Sequence, residues 1–125
     1  MNIEVSNGEI LDKLSILDIK SKRINDTDKL KNIEKERQVL LPFYDLIVTT
    51  NELSKKFEEL LDINIKLWEI EDSIREKEWN KQFDSQFIEL ARSVYLCNDI
   101  RAEIKREINT LSNSNLIEEK SYAKT

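Results

Sequence analysis

The chain has 125 residues, 39% apolar and 36% charged, with one Gly, one Pro, one Cys and no His. The lone Cys97 excludes an intrachain disulfide, and the lack of His excludes a Cys/His zinc site and imidazole acid–base chemistry. A net charge of −5, with acids and bases interspersed, argues against nucleic acid as a partner.

Frequent, regularly spaced Ile, Leu and Val, with so little Gly and Pro, mark long surface helices rather than disorder. Residues 1–8 read as an N-terminal arm. Met1 to Glu4 offer neither a basic region nor an apolar signal core, so a cytoplasmic location is expected. Ile3 and Val5 alternate with polar residues, a weak strand pattern. Ser6 followed by Glu9 forms a capping box that opens helix one. Ile10, Leu14, Leu17, Ser21 and Ile24 then fall on one helical face.

Asn25 to Asp28 make a turn and supply an N-cap. Helix two carries a core row of Leu30, Ile33, Arg37, Leu40, Tyr44 and Ile47. Pro42 lies within it, and a kink or break is expected there because proline lacks a backbone donor. Val39 to Val48 is the longest near-continuous apolar run. Pro42 and Asp45 interrupt it, and it is too short to span a bilayer. Helix three starts near Glu52 and sustains a heptad. One row is Leu53, Leu60, Leu67 and Ile74, and the other is Phe57, Asn64, Glu71 and Glu78. After a short break, Asp84 caps helix four, with Phe83 and Ile88 placed to form a hydrophobic staple. Helix four has rows Phe87, Val94, Arg101, Ile108 and Leu90, Cys97, Ile104, Leu111. Residues 112–125 read as an irregular tail. The expected fold is all-α: two long antiparallel helical hairpins packed as an irregular four-helix bundle, in one domain over 1–125.

Five stretches together resemble a known family: Glu4 to Leu14, Lys66 to Asp72, Leu90 to Tyr95, Asn98 to Asn109 and Glu118 to Tyr122. It is an uncharacterised family of short bacterial and phage helical proteins, carried as a domain of unknown function. The resemblance spans nearly the whole chain. It implies a small helical domain and brings no activity, cofactor or catalytic residue.

Four carboxylates, Glu59, Asp62, Glu69 and Asp72, have the residue types of a helix-borne magnesium site. At 100° per residue they do not converge, so they read as a solvated face, and no metal or cofactor is expected. Glu71 falls in the core seam and needs a partner, with Arg75 one turn away the nearest. Folding the hairpin about residue 82 sets Arg101 level with Asn64. Glu71 is then about eight residues from Arg101, roughly 12 Å of rise. Asn98 and Lys105 flank that layer, and Arg37 could add a charge.

This polar seam has two readings. One is a register-fixing layer, in which Arg101→Met would be tolerated. The other is a ligand site for an anion, formed by Asn64, Glu71, Arg75, Asn98, Arg101 and Lys105. Cys97, Trp68 and Tyr95 read as packing residues. An apolar surplus points to assembly: Val39, Phe43 and Leu46 lie opposite helix two's core row, and Ile16 and Ile19 lie off the core row of helix one. The sequence therefore suggests a helical binding or assembly module that forms a homodimer and touches neither membrane nor nucleic acid. A small enzyme or anion-binding protein using the polar seam is the alternative.

Overall fold

A computed structural model describes residues 1–122. Four helices account for most of them: α1 Asn7–Arg23, α2 Thr27–Ile47, α3 Asn51–Trp79 and α4 Ser85–Leu111. Each begins at a side-chain cap. Ser6 accepts from the Glu9 N–H at 3.1 Å, Asp26 from Lys29 at 3.0 Å, Thr50 from Leu53 at 3.2 Å and Asp84 from Phe87 at 3.0 Å. These bonds satisfy donors that a helix start leaves without a partner. α3 and α4 end alike, in Schellman turns. The Gln82 N–H donates to the Lys77 carbonyl and the Ser114 N–H to the Asn109 carbonyl, with Lys81 and Asn113 in the left-handed region at φ 56° and 58°.

The architecture is an irregular four-helix bundle. α3 and α4 form the long hairpin, in the expected register. Lys77 donates to Gln86 at 2.9 Å near the turn, and Lys56 pairs with Glu107 near the open end. α1 packs on all three other helices. It runs parallel to α3 and antiparallel to α4: Gly8 meets Asn109, Asp12 meets Asn64 and Arg101, and Arg23 reaches Glu69. α2 folds back on α1, and an edge-to-face contact between Tyr44 and Phe57 ties it to α3. The core gathers Leu11, Leu14, Ile47, Leu53, Leu60, Ile63, Ile70, Cys97, Ile104 and Ile108.

Several expectations need correction. α1 does not bury one stripe. Enclosure by three helices buries Gly8, Leu11, Asp12, Leu14, Ser15, Leu17 and Ile19, while Ser21 faces out. Helix two is not broken at Pro42, because packing of Ile33, Leu40, Tyr44 and Ile47 holds it on both sides of the missing donor. Phe83 packs edge-to-face on Phe87, one residue short of the expected staple with Ile88. Among the described residues no strand forms at Ile3 and Val5.

Residues 115–122 have no regular structure, as expected of the tail, yet ion pairs fasten them along α4. Glu119 pairs with Arg106, and Lys120 lies 2.7 Å from Asp99. Residues 123–125 lie outside the described residues. No helix among the described residues is long and apolar enough to cross a membrane.

Candidate functional site

The site is built around a residue the sequence reading did not single out, Asp12. Its side chain is 1% exposed, on the face of α1 that meets the α3–α4 seam. A carboxylate so buried must be neutralised and fully hydrogen-bonded. Arg101 supplies both. Its Nε donates to Asp12 Oδ1 at 2.9 Å, and its Nη2 donates to Asp12 Oδ2. Asn64 Nδ2 adds a third bond to Oδ1, also at 2.9 Å, and a further one to Ser15 Oγ at 2.7 Å. The Ser15 hydroxyl in turn donates to the Asp12 carbonyl at 2.7 Å. Lys105 stands 3.9 Å from Asp12 and bonds Glu9 at 2.7 Å. Hydrogen bonding to Asp12 raises the Arg101 pKa above its ordinary value; burial opposes this, and the charges of Asp12 and Glu9 add to it.

One turn nearer the N-terminus, α1 touches α4. A Cβ placed on Gly8 would lie 2.6 Å from the Lys105 carbonyl oxygen, so the chain's one glycine permits this approach. The Gly8 N–H donates to Asn109 Oδ1 at 2.7 Å, and Asn109 Nδ2 donates to Glu118 of the tail at 3.2 Å. Burial pushes the Glu118 carboxyl up. Hydrogen bonds from Ser6, its own backbone and Asn109, with the Lys105 charge, outweigh that and hold it below the usual carboxylate range.

Above the Asp12 network a groove of about 520 Å³ opens between α1, α3 and α4. Asn64, Glu71, Arg75, Asn98 and Arg101 all line it, so the structure brings together five of the six candidate ligand residues. Lys105 sits below, at Glu9. Ile16 and Ile19, expected at an interface, line the groove as well, beside Leu67 and Trp68. Ile19 is buried within the chain, so it is not a surface residue.

Glu71 also departs from expectation. Its side chain is 48% exposed at the groove rim, 3.9 Å from Arg75. α1 ends near this level, so the heptad position has no third helix to bury it. Arg37 stays outside the layer, 2.8 Å from Asp18. Tyr95 faces out rather than packing. The four carboxylates weighed as a magnesium site, Glu59, Asp62, Glu69 and Asp72, do separate. Glu59 and Asp62 line a different groove, Glu69 pairs with Arg23, and Asp72 lines the groove described above. On α2, Val39, Phe43 and Leu46 are 64%, 42% and 72% exposed.

A signal for Asp12 and Ser15 does exist in the sequence. Gly8, Asp12 and Ser15 recur at helical spacing between the leucines, and a stripe of small or short polar residues marks a face where another helix comes close.

The profile of DUF6165, a family of unknown function, matches residues 1–125, and the chain belongs to that family. No curated protein and no solved structure matches.

Proposed function

We propose that this chain is a helical binding module whose ligand site is the groove between α1, α3 and α4. The observation that supports this is the arrangement of the groove over the Asp12–Arg101–Asn64 network. A rigid, hydrogen-bonded floor holds polar atoms at fixed positions beneath an open space of about 520 Å³, within the usual range for small-molecule sites. Trp68, Leu67, Ile16 and Ile19 supply apolar surface beside those polar groups.

The test is a screen of small amphipathic molecules of both charge signs, read by NMR at the Trp68 indole N–H and the Arg101 Nε–H. Binders should move these two signals and leave the amides of α2 in place. A screen in which hits move only signals outside the groove would contradict the reading.

A second reading concerns assembly, and the exposure of Val39, Phe43 and Leu46 on one face of α2 favours it. We propose that two copies pair through this face. Phe43→Glu should weaken the dimer in sedimentation equilibrium while leaving helicity intact. A chain that stays monomeric at high micromolar concentration would exclude it. The cytoplasm is the compartment we propose, because the one cysteine, Cys97, is buried and free.

A further inference from the structure

The first turn of α1 meets the end of α4 at a dipeptide with chemistry of its own. Gly8 is the chain's one glycine, so Asn7–Gly8 is its one Asn–Gly pair. In such a pair the glycine's amide nitrogen can attack the asparagine side-chain carbonyl, because no Cβ shields that nitrogen and the backbone turns freely. The N–Cγ bond that forms closes a five-membered succinimide. The Cγ–Nδ2 bond breaks, and ammonia leaves with the former amide proton, carried by solvent. Water then opens the ring at either carbonyl. One product has aspartate at position 7. The other has an isoaspartyl link, with one more carbon in the main chain.

The fold holds each partner of that reaction. Asn7 and Gly8 open α1, and ring closure has to rotate ψ of Asn7 out of the helical range. Gly8 is buried, and its attacking nitrogen donates to Asn109 Oδ1 at 2.7 Å. The leaving Nδ2 of Asn7 donates to Ser112 Oγ at 2.9 Å, and the Asn7 N–H to Ser114 Oγ at 3.0 Å. A Cβ on Gly8 would lie 2.6 Å from the Lys105 carbonyl oxygen, so the backbone has no room to shift toward α4. The nucleophile reaches the Asn7 carbonyl only when this turn of α1 parts from α4.

We propose that Asn7 is a site of self-modification, locked by the contact of α1 with α4 and released when the first turn of α1 opens, and that the isoaspartyl product cannot close again. The added main-chain carbon displaces Gly8 from the position at which α4 admits its backbone, and the Gly8 N–H loses Asn109. Asn109 also holds Glu118, and Ser112 and Ser114 start the tail, so the same change loosens the fastening of residues 112–118. Asn32 provides the contrast. It is exposed on α2, and the branched side chain of Ile33 behind it hinders the same attack.

The experiment incubates the full chain in mildly alkaline buffer, with and without denaturing urea, and follows deamidation of Asn7 and Asn32 by peptide mass spectrometry. In urea Asn7 should react about tenfold or more faster than Asn32. Comparable rates would overturn Asn7 as a site. Without urea the reaction at Asn7 should slow by about tenfold or more, and a smaller change would overturn the lock. Asn109→Ala removes the acceptor of the Gly8 N–H, and Ser112→Ala that of Asn7 Nδ2. Each should speed the reaction in the folded chain about fivefold, with circular dichroism confirming the fold. Ser112 lies at the end of α4 and is only partly buried, so its variant gives the answer where Asn109→Ala unfolds. Unchanged rates in the folded variants would also overturn the lock. The isoaspartyl chain is then separated, returned to buffer and compared with the unreacted chain by hydrogen exchange. The amides of residues 7 and 8 should exchange about tenfold or more faster, and unchanged exchange would overturn the one-way step.

Discussion

The two halves of the α3–α4 hairpin share one heptad pattern and differ in what covers them. Beside α1, the hairpin buries Leu53, Leu60, Ile63, Asn64 and Ile70 from one helix and Cys97, Ile104, Ile108 and Asn109 from the other. Beyond α1, from Glu71 to Leu96, no residue is buried. Ile74, Phe87, Leu90 and Val94 are only partly covered, and Trp79, Phe83, Ile88, Tyr95 and Leu96 stand in the open. An apolar seam between two helices is thus not yet a core. The third helix excludes water, and only where it does so can a polar network such as Asp12–Arg101–Asn64 be stabilised by low polarity and full hydrogen bonding. The groove lies at the boundary between the halves, which gives it a fixed floor and an accessible mouth.

The largest effect that would sharpen this contrast is at Arg101. Arg101→Met strands the Asp12 carboxylate in the covered half and should destabilise by about 3–5 kcal/mol in urea unfolding. The sequence-based expectation that methionine is tolerated here is reversed, because the partner on α1 is a matched ion pair and not open seam. Neutralising Glu71 should not restore the loss, since Glu71 lies at the rim. An Arg101→Met loss below about 1 kcal/mol would place the ion pair among weak surface pairs.

Gly8→Ala tests the close approach of α1 to α4. The added Cβ meets the Lys105 carbonyl oxygen at 2.6 Å, so a loss of about 1–3 kcal/mol is expected. Ser93→Ala, in the uncovered half, should stay within about 0.5 kcal/mol. Similar losses for the two would erase the distinction between the halves.

The smallest effect is a gain at the tip of the hairpin. Lys81 adopts φ 56° at the end of α3, a conformation that disfavours side chains with a Cβ. Lys81→Gly should stabilise by about 0.5–1 kcal/mol, seen as a raised midpoint in thermal unfolding. Because the tip touches nothing from α1, this gain should be the same in wild-type and Arg101→Met backgrounds.

The elements were legible in the sequence because local chemistry fixes them: Ser6, Asp26 and Asp84 cap, and the heptads of α3 and α4 carry their rows. The level of Asn64 with Arg101 was legible too, since a short turn leaves little freedom of register. The missing part was the docking of α1, which depends on contacts far apart in sequence. Its row was read from the leucines, so Asp12 was passed over and Glu71 was placed in the buried seam. That Asp12 is buried and Glu71 is not follows from where α1 lies and where it ends. Ile19 was misplaced for the same reason. On α2, which packs mainly on α1, the core row and the outward Val39, Phe43 and Leu46 fell where periodicity put them.

The account turns on the pairing of Asp12 with Arg101, and a double-mutant cycle measures it most directly. Asp12→Leu, Arg101→Met and the double variant would be compared with the wild type by urea unfolding. The account predicts that the double variant is more stable than the sum of the single losses implies, with a coupling of about 2 kcal/mol or more between the two sites. Additive losses, with coupling within about 0.5 kcal/mol of zero, would contradict it.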